Sequence, residues 1–213
     1  MSKENYFIIR PFGPSIVKLR MPENLVNKLN TYVDKIISDK KKSSELDHGA
    51  ELAGMVTQEF TLEKNFMEEA GWGNFLTLAC GKWIELACST KISKFQILSS
   101  WIVRQFKNEY NPTHYHGGHI SGVGYLKVPN NIGSTKQGNK KKNLNGCLQL
   151  IHGSKMFMSE SIYTAKPAVG DFYLFPNYLM HSVFPFTDTN EERRSVSFNA
   201  KVDDQIYNVY GTK

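Results

Sequence analysis

Apolar positions along the chain fall into two textures. Leu25, Val26, Leu29, Tyr32, Val33, Ile36 and Ile37 recur at spacings of three and four, the stripe of an amphipathic helix whose first turn accepts Pro22. A second helical region runs from Leu62 towards Cys88, carrying Phe75, Leu76, Leu78, Ala79, Trp83, Ile84 and Ala87, with a break expected at Gly71-Trp72-Gly73. Ahead of both, residues 6–9 and 15–19 read as short strands around a turn at Pro11, Gly13 and Pro14. From Lys94 the texture changes to short β-rich runs separated by turns. The predicted strands are 95–106, 120–128, 147–151, 155–158, 172–175, 182–184 and 194–200. Their spacing suits an antiparallel sandwich or barrel. Residues 130–145, rich in Gly, Asn, Ser and Lys, form a long insertion between strands, of the kind that serves as a lid or stays disordered.

The expected fold class is therefore mainly β with supporting N-terminal helices, an α+β arrangement. At 213 residues the chain fits one domain over 1–213, with 1–93 as a support region and 94–213 as the β core. The 26 Lys and Arg against 20 Asp and Glu give a formal charge of +6. Much of that excess sits in Lys40-Lys41-Lys42 and Lys140-Lys141-Lys142, which read as solvated loops without interleaved aromatics, so nucleic acid is not the expected partner. Three cysteines, Cys80, Cys88 and Cys147, show no paired spacing and argue against a disulfide framework. No stretch approaches the roughly 18 apolar residues of a membrane span, and the N-terminus lacks the apolar core of a signal peptide. A soluble, cytoplasmic protein is expected.

Three of the six histidines lie between positions 114 and 119, in Asn111-Pro112-Thr113-His114-Tyr115-His116-Gly117-Gly118-His119. Strand alternation would put His114 and His116 on one face, close enough to share an ion. His181 supplies a distant nitrogen from another strand. An iron(II) centre that activates oxygen needs its protein ligands on one face of the ion, leaving the opposite positions open. His114, His116 and His181 are the candidate ligands; His119 follows two glycines, where the alternation lapses, and reads as a bystander. His48 and His152 read as structural.

These residues carry a resemblance to the iron(II)- and 2-oxoglutarate-dependent oxygenases related to prolyl hydroxylases. The matching passages are Ser100-Trp101-Ile102, the His-Tyr-His leading into Ile120-Ser121-Gly122-Val123-Gly124-Tyr125-Leu126, Gly170-Asp171 to Pro176, His181, and Glu192-Arg193-Arg194-Ser195-Val196-Ser197-Phe198-Asn199. The resemblance implies a double-stranded β-helix, a distorted, cupin-like jelly roll with the metal at one open end. It places His114 and His116 where the family has His-x-Asp or His-x-Glu, so His116 stands where a carboxylate is usual. A neutral imidazole there leaves the site one negative charge poorer, which weakens iron(II) retention. Asp171, or a carboxylate from elsewhere in the chain, is an alternative source of the missing one, and the spacing singles out neither.

The implied cofactors are Fe(II) and 2-oxoglutarate, with molecular oxygen as cosubstrate. The far carboxylate of 2-oxoglutarate needs a buried cation, and an arginine suits it because its planar fork binds a carboxylate bidentately. By the resemblance that residue is Arg193, which shares strand parity with Ser195, Ser197 and Asn199. A bulge would put Arg194 there instead, and a pair of surface arginines at a strand edge is the plain reading of both. Tyr125 matches a family tyrosine that helps hold the same carboxylate. The implied activity is hydroxylation of a peptidyl side chain such as proline, with a small metabolite or a nucleobase as the alternative substrates. Two rivals are a non-catalytic jelly-roll binding protein and a three-histidine cupin-type enzyme that does not use 2-oxoglutarate.

Overall fold

The computed structural model of the protein describes residues 6–9 and 13–208. The N-terminal region comprises β1 (Tyr6–Ile9), β2 (Ile16–Arg20), α1 (Glu23–Ser38), α2 (Lys40–Glu45), β3 (Gln58–Thr61), α3 (Lys64–Ala70) and α4 (Trp72–Cys88). The remainder is β4 (Phe95–Gln105), β5 (Asn111–His114), β6 (Ile120–Lys127), β7 (Leu148–Ile151), β8 (Ile162–Ala165), β9 (Asp171–Pro176), β10 (Met180–Val183), β11 (Arg193–Val202) and α5 (Asp204–Tyr207). They build a seven-stranded sheet, in the order β1-β2-β9-β6-β11-β4-β3, and a four-stranded sheet, β5-β10-β7-β8, with every pairing antiparallel. Among the described residues no helix is long and apolar enough to cross a membrane.

The large sheet is buried on both faces, and strand alternation decides what each face receives. On β9, Phe172 and Leu174 point to the helices while Tyr173 and Phe175 point to the small sheet. The helix-facing side meets Leu25, Val26, Leu29, Val33 and Ile36 of α1 and Trp72, Phe75, Leu76 and Ala79 of α4, the stripe read from the sequence. Each such fully buried side chain contributes on the order of 1.5–3 kcal/mol. On β6 the helix-facing positions include Gly122 and Gly124 beside Ile120 and Leu126. A Cβ at Gly124 would press into the Phe172 ring and come within 2.8 Å of Met21 Cε, so the strand can pass only without a side chain there.

The break between α3 and α4 falls at Gly71, whose φ of 81° is left-handed and closes the first helix. Two expectations need correction. Lys40-Lys41-Lys42 opens the short helix α2, capped by the Asp39 carboxylate, rather than a loop. Residues 155–158 form no strand: Met156 and Ser159 bridge across a tight turn in which Met158 takes a left-handed φ of 62°. The strand of that hairpin is β8, and β3 was not read as a strand at all. Pro11 lies outside the described residues. Residues 130–145 have neither helix nor strand, and Asn145 anchors the loop by donating to the Ile132 carbonyl at 2.9 Å. Cys80, Cys88 and Cys147 are unbridged.

Candidate metal centre

His114 ends β5, the edge strand of the small sheet, and stands directly across from His181 on β10. His116 lies beyond the end of β5, so shared strand parity does not bring it to the site. Its backbone is held instead by the turn after β9: His116 N–H donates to the Asn177 carbonyl at 3.1 Å, and Asn177 Nδ2 donates to the His116 carbonyl at 3.0 Å. The three rings converge with centroid separations of 4.9 Å (114 to 116), 4.2 Å (114 to 181) and 4.9 Å (116 to 181). One ring nitrogen from each lies within 4.8 Å of the others.

The chemistry of this trio suits metal ligation. His114 Nδ1 contacts the Pro112 carbonyl at 2.7 Å and His181 Nδ1 contacts the Leu179 carbonyl at 2.9 Å. A carbonyl only accepts, so each Nδ1 carries the proton and each Nε2 keeps its lone pair, the tautomer a metal requires. His181 Nε2 and His116 Nε2 are 3.1 Å apart. Two nitrogens bound at about 2.1 Å and at right angles on one ion are separated by about 3 Å. Burial, reinforced by His114, holds His116 down at about 4; burial, with His114 and His116, holds His181 down at about 3. Both imidazoles are therefore neutral at ordinary pH, which is the ligating form. Trp101 packs edge-on against His116 and Phe175 against His181, fixing the rings.

Among the described residues no carboxylate joins the cluster. Asp171 is committed elsewhere, paired with Lys18 and Arg20 at 2.7 Å each. His119 is also outside it: its Nδ1 accepts from the Val202 N–H at 3.1 Å, and its ring stacks on Tyr207.

The three histidines line a cleft between the sheets together with Arg193, Ser195 and Ser197 of β11. Arg193 is 2% exposed, its Nη1 donates to Gln105 Oε1, and its Nε has no hydrogen-bond partner. Its guanidinium lies 5.0 Å from the Tyr125 ring centroid, and the fully buried Tyr125 hydroxyl is likewise unpartnered. Burial pushes the Tyr125 hydroxyl pKa up, against the pull of Arg193. Unmet buried donors cost about 1–3 kcal/mol each, a penalty relieved when an anion enters. Arg194 faces the helices instead, bonded to Glu192 at 2.7 Å and Asp34 at 2.8 Å. Asn199 shares the parity of Arg193 but is occupied with Ser121 Oγ at 2.7 Å.

Residues 99–199 match the model of the family described as "Putative 2OG-Fe(II) oxygenase". This stretch, a little under half of the chain, is similar to that family. The 2OG-Fe(II) oxygenases take their name from iron(II) and 2-oxoglutarate, the cofactor pair expected from the sequence. Solved structures of low identity share the fold. A prolyl-4-hydroxylase from Pseudomonas putida superposes with a TM-score of 0.56 at 14% identity, over 86% of this chain and 91% of that one. The viral collagen prolyl hydroxylase of Paramecium bursaria Chlorella virus-1, in its 2OG complex, gives 0.53 at 13% identity over 86% and 94%. HygX from Streptomyces hygroscopicus, with nickel, 2-oxoglutarate and hygromycin B bound, gives 0.54 at 10% identity over 87% and 82%. The architecture is the double-stranded β-helix. No curated protein matches the chain.

Within this double-stranded β-helix, sequence reasoning missed two residues that shape the site. Asn177 fixes His116, and Gln105 holds Arg193. Gln105 had a signal: it continues the inward parity of Trp101 and Val103 along β4, and both of those line the cleft. Asn177 had none, because its role depends on a turn meeting a loop distant in sequence.

Proposed function

We propose that this protein is an iron(II)- and 2-oxoglutarate-dependent dioxygenase that hydroxylates a substrate carbon, with a peptidyl side chain such as proline as the first candidate. The observation that carries the reading is a buried arginine with an unpartnered Nε in the same cleft as three converging imidazoles. In this reading His114, His116 and His181 hold the iron through Nε2. Arg193, with Ser195, Ser197 and the Tyr125 hydroxyl beside it, holds the far carboxylate of 2-oxoglutarate. When bound, the iron and 2-oxoglutarate supply oxidative decarboxylation to succinate and carbon dioxide, coupled to oxygen transfer into a C–H bond.

The chain's own work is positional and electrostatic. The carbonyls of Pro112 and Leu179 keep two rings in the ligating tautomer, and Trp101 and Phe175 stop the rings from turning. Val103, Leu148 and Val183 give the cleft apolar walls that exclude water. Three neutral ligands leave the metal's charge unbalanced by protein, so the carboxylates of 2-oxoglutarate make up more of the neutralisation than in a site with an acidic ligand.

The experiment is to incubate the iron(II)-loaded protein with 2-oxoglutarate and oxygen and to follow succinate. Succinate formation that is lost in both His181→Ala and Arg193→Ala supports the reading; bound iron without succinate rejects it. The all-histidine ligand set favours one second reading, a cupin-type enzyme that does not use 2-oxoglutarate. Under it, Arg193→Ala would leave turnover intact.

A further inference from the structure

Gln105 is the last residue of β4 and the cross-strand partner of Arg193 on β11. It is fully buried. Its Nε2 donates to two backbone carbonyls, those of Glu109 and of Phe184, the latter at 3.2 Å. A side-chain amide has donors on one side and an acceptor on the other. With the amino group engaged by carbonyls that only accept, the amide cannot flip, and Oε1 must face the guanidinium. There it accepts from Arg193 Nη1. Glu109 stands in the turn that leads into β5, and Phe184 follows β10, the strands that carry His114 and His181. One side chain therefore ties the arginine to both of those strands.

The choice of amide over acid matters for charge. Arg194, next in sequence, is neutralised by Glu192 and Asp34. Arg193 pairs with no carboxylate among the described residues; its side-chain partner is the neutral Gln105. A glutamine takes up one of five N–H groups without cancelling the positive charge, which stays available to an incoming anion.

We infer that Gln105 is a positioning residue that aims the Arg193 guanidinium into the cleft and preserves its charge for the far carboxylate of 2-oxoglutarate. The inference rests on the reading of Arg193 as the anchor of that carboxylate. It is tested by calorimetric titration of 2-oxoglutarate into the nickel-loaded full-length protein, beside separate titrations of nickel and thermal melts. Gln105→Glu, nearly the same shape, places a competing carboxylate against Arg193. Gln105→Met removes the acceptor and the donors, and serves as the second variant if the first does not fold. The expected result is 2-oxoglutarate binding weakened by about 10-fold or more in either variant, the value of one charge-assisted hydrogen bond. Nickel affinity is expected to stay within about 2-fold of the parent. Loss of 2-oxoglutarate and nickel affinity in proportion, along with melting temperature, marks a structural role and overturns the inference. Unchanged 2-oxoglutarate binding also overturns it. Arg193→Ala separates the two levels: if it too binds 2-oxoglutarate normally, the anchor reading fails, whereas if it alone is impaired, only the role of Gln105 fails.

Discussion

Arg193 and Arg194 are adjacent in sequence and face opposite sides of one sheet, the first into the cleft and the second onto α1. Their replacement should therefore separate binding from stability. Arg193→Ala is expected to weaken 2-oxoglutarate binding by about 100-fold, since two charge-assisted hydrogen bonds are lost. Arg194→Ala should leave that binding nearly intact but lower folding stability on the order of 2 kcal/mol, because Glu192 and Asp34 lose a buried partner. Calorimetric titration and denaturant unfolding of both variants check the pair.

Metal affinity should depend on three histidines and not on the fourth nearby. His116→Ala and His181→Ala are each expected to reduce nickel or iron(II) affinity by at least about 100-fold, since even a lost outer-sphere partner costs 10–100-fold. His119→Ala removes a stacking partner of Tyr207 and the acceptor of the Val202 N–H, so it should cost stability while sparing metal binding. Competition titration with a chromophoric chelator reads the affinities.

Gly124→Ala places a methyl group where Phe172 and Met21 already stand. Forced overpacking of that kind costs about 1–3 kcal/mol. A drop in melting temperature without any change in the metal absorbance of the folded protein would locate the damage on the helix-facing side of the sheet.

Much of the architecture was legible because its signals are local. The stripe from Leu25 to Ile36 marks α1, and the apolar alternation of residues 95–106 and 194–200 marks the two strands that became β4 and β11. The His114, His116 and His181 trio was legible as a cluster, but the reason given for His116 was wrong. It reaches the site through Asn177, a contact between a turn and a loop 61 residues apart in sequence, and no periodicity encodes that. The same holds for Gln105, whose value lies in two long-range hydrogen bonds, to Phe184 and Arg193. Residues 155–158 misled because an apolar run at a hairpin tip has the composition of a strand, while Met158 takes a left-handed turn conformation that composition does not reveal.

A pH effect on stability should come from Glu59, a 2% exposed carboxyl on β3 whose Oε1 has no partner. Burial, with Asp47 nearby, pushes it up to about 7 from an ordinary 4.5. The folded state thus holds this proton more tightly than the unfolded state. The stabilisation is fully present below about pH 4.5 and is lost as pH rises through about 7. The loss amounts to about 2–3 kcal/mol. Glu59→Gln should flatten this slope and be the more stable form at pH 8, with little difference at pH 4. Denaturant unfolding of both proteins at the two pH values measures it.

The central claim is that one cleft holds iron(II) on three imidazoles and 2-oxoglutarate on Arg193. It is tested most directly by loading the protein with iron(II) without oxygen, adding 2-oxoglutarate while recording the visible spectrum, and then admitting oxygen and assaying succinate. A weak charge-transfer band that appears only with both components, is absent in His181→Ala, and is followed by succinate is the predicted result. Iron demonstrably bound, with no band and no succinate, would contradict it.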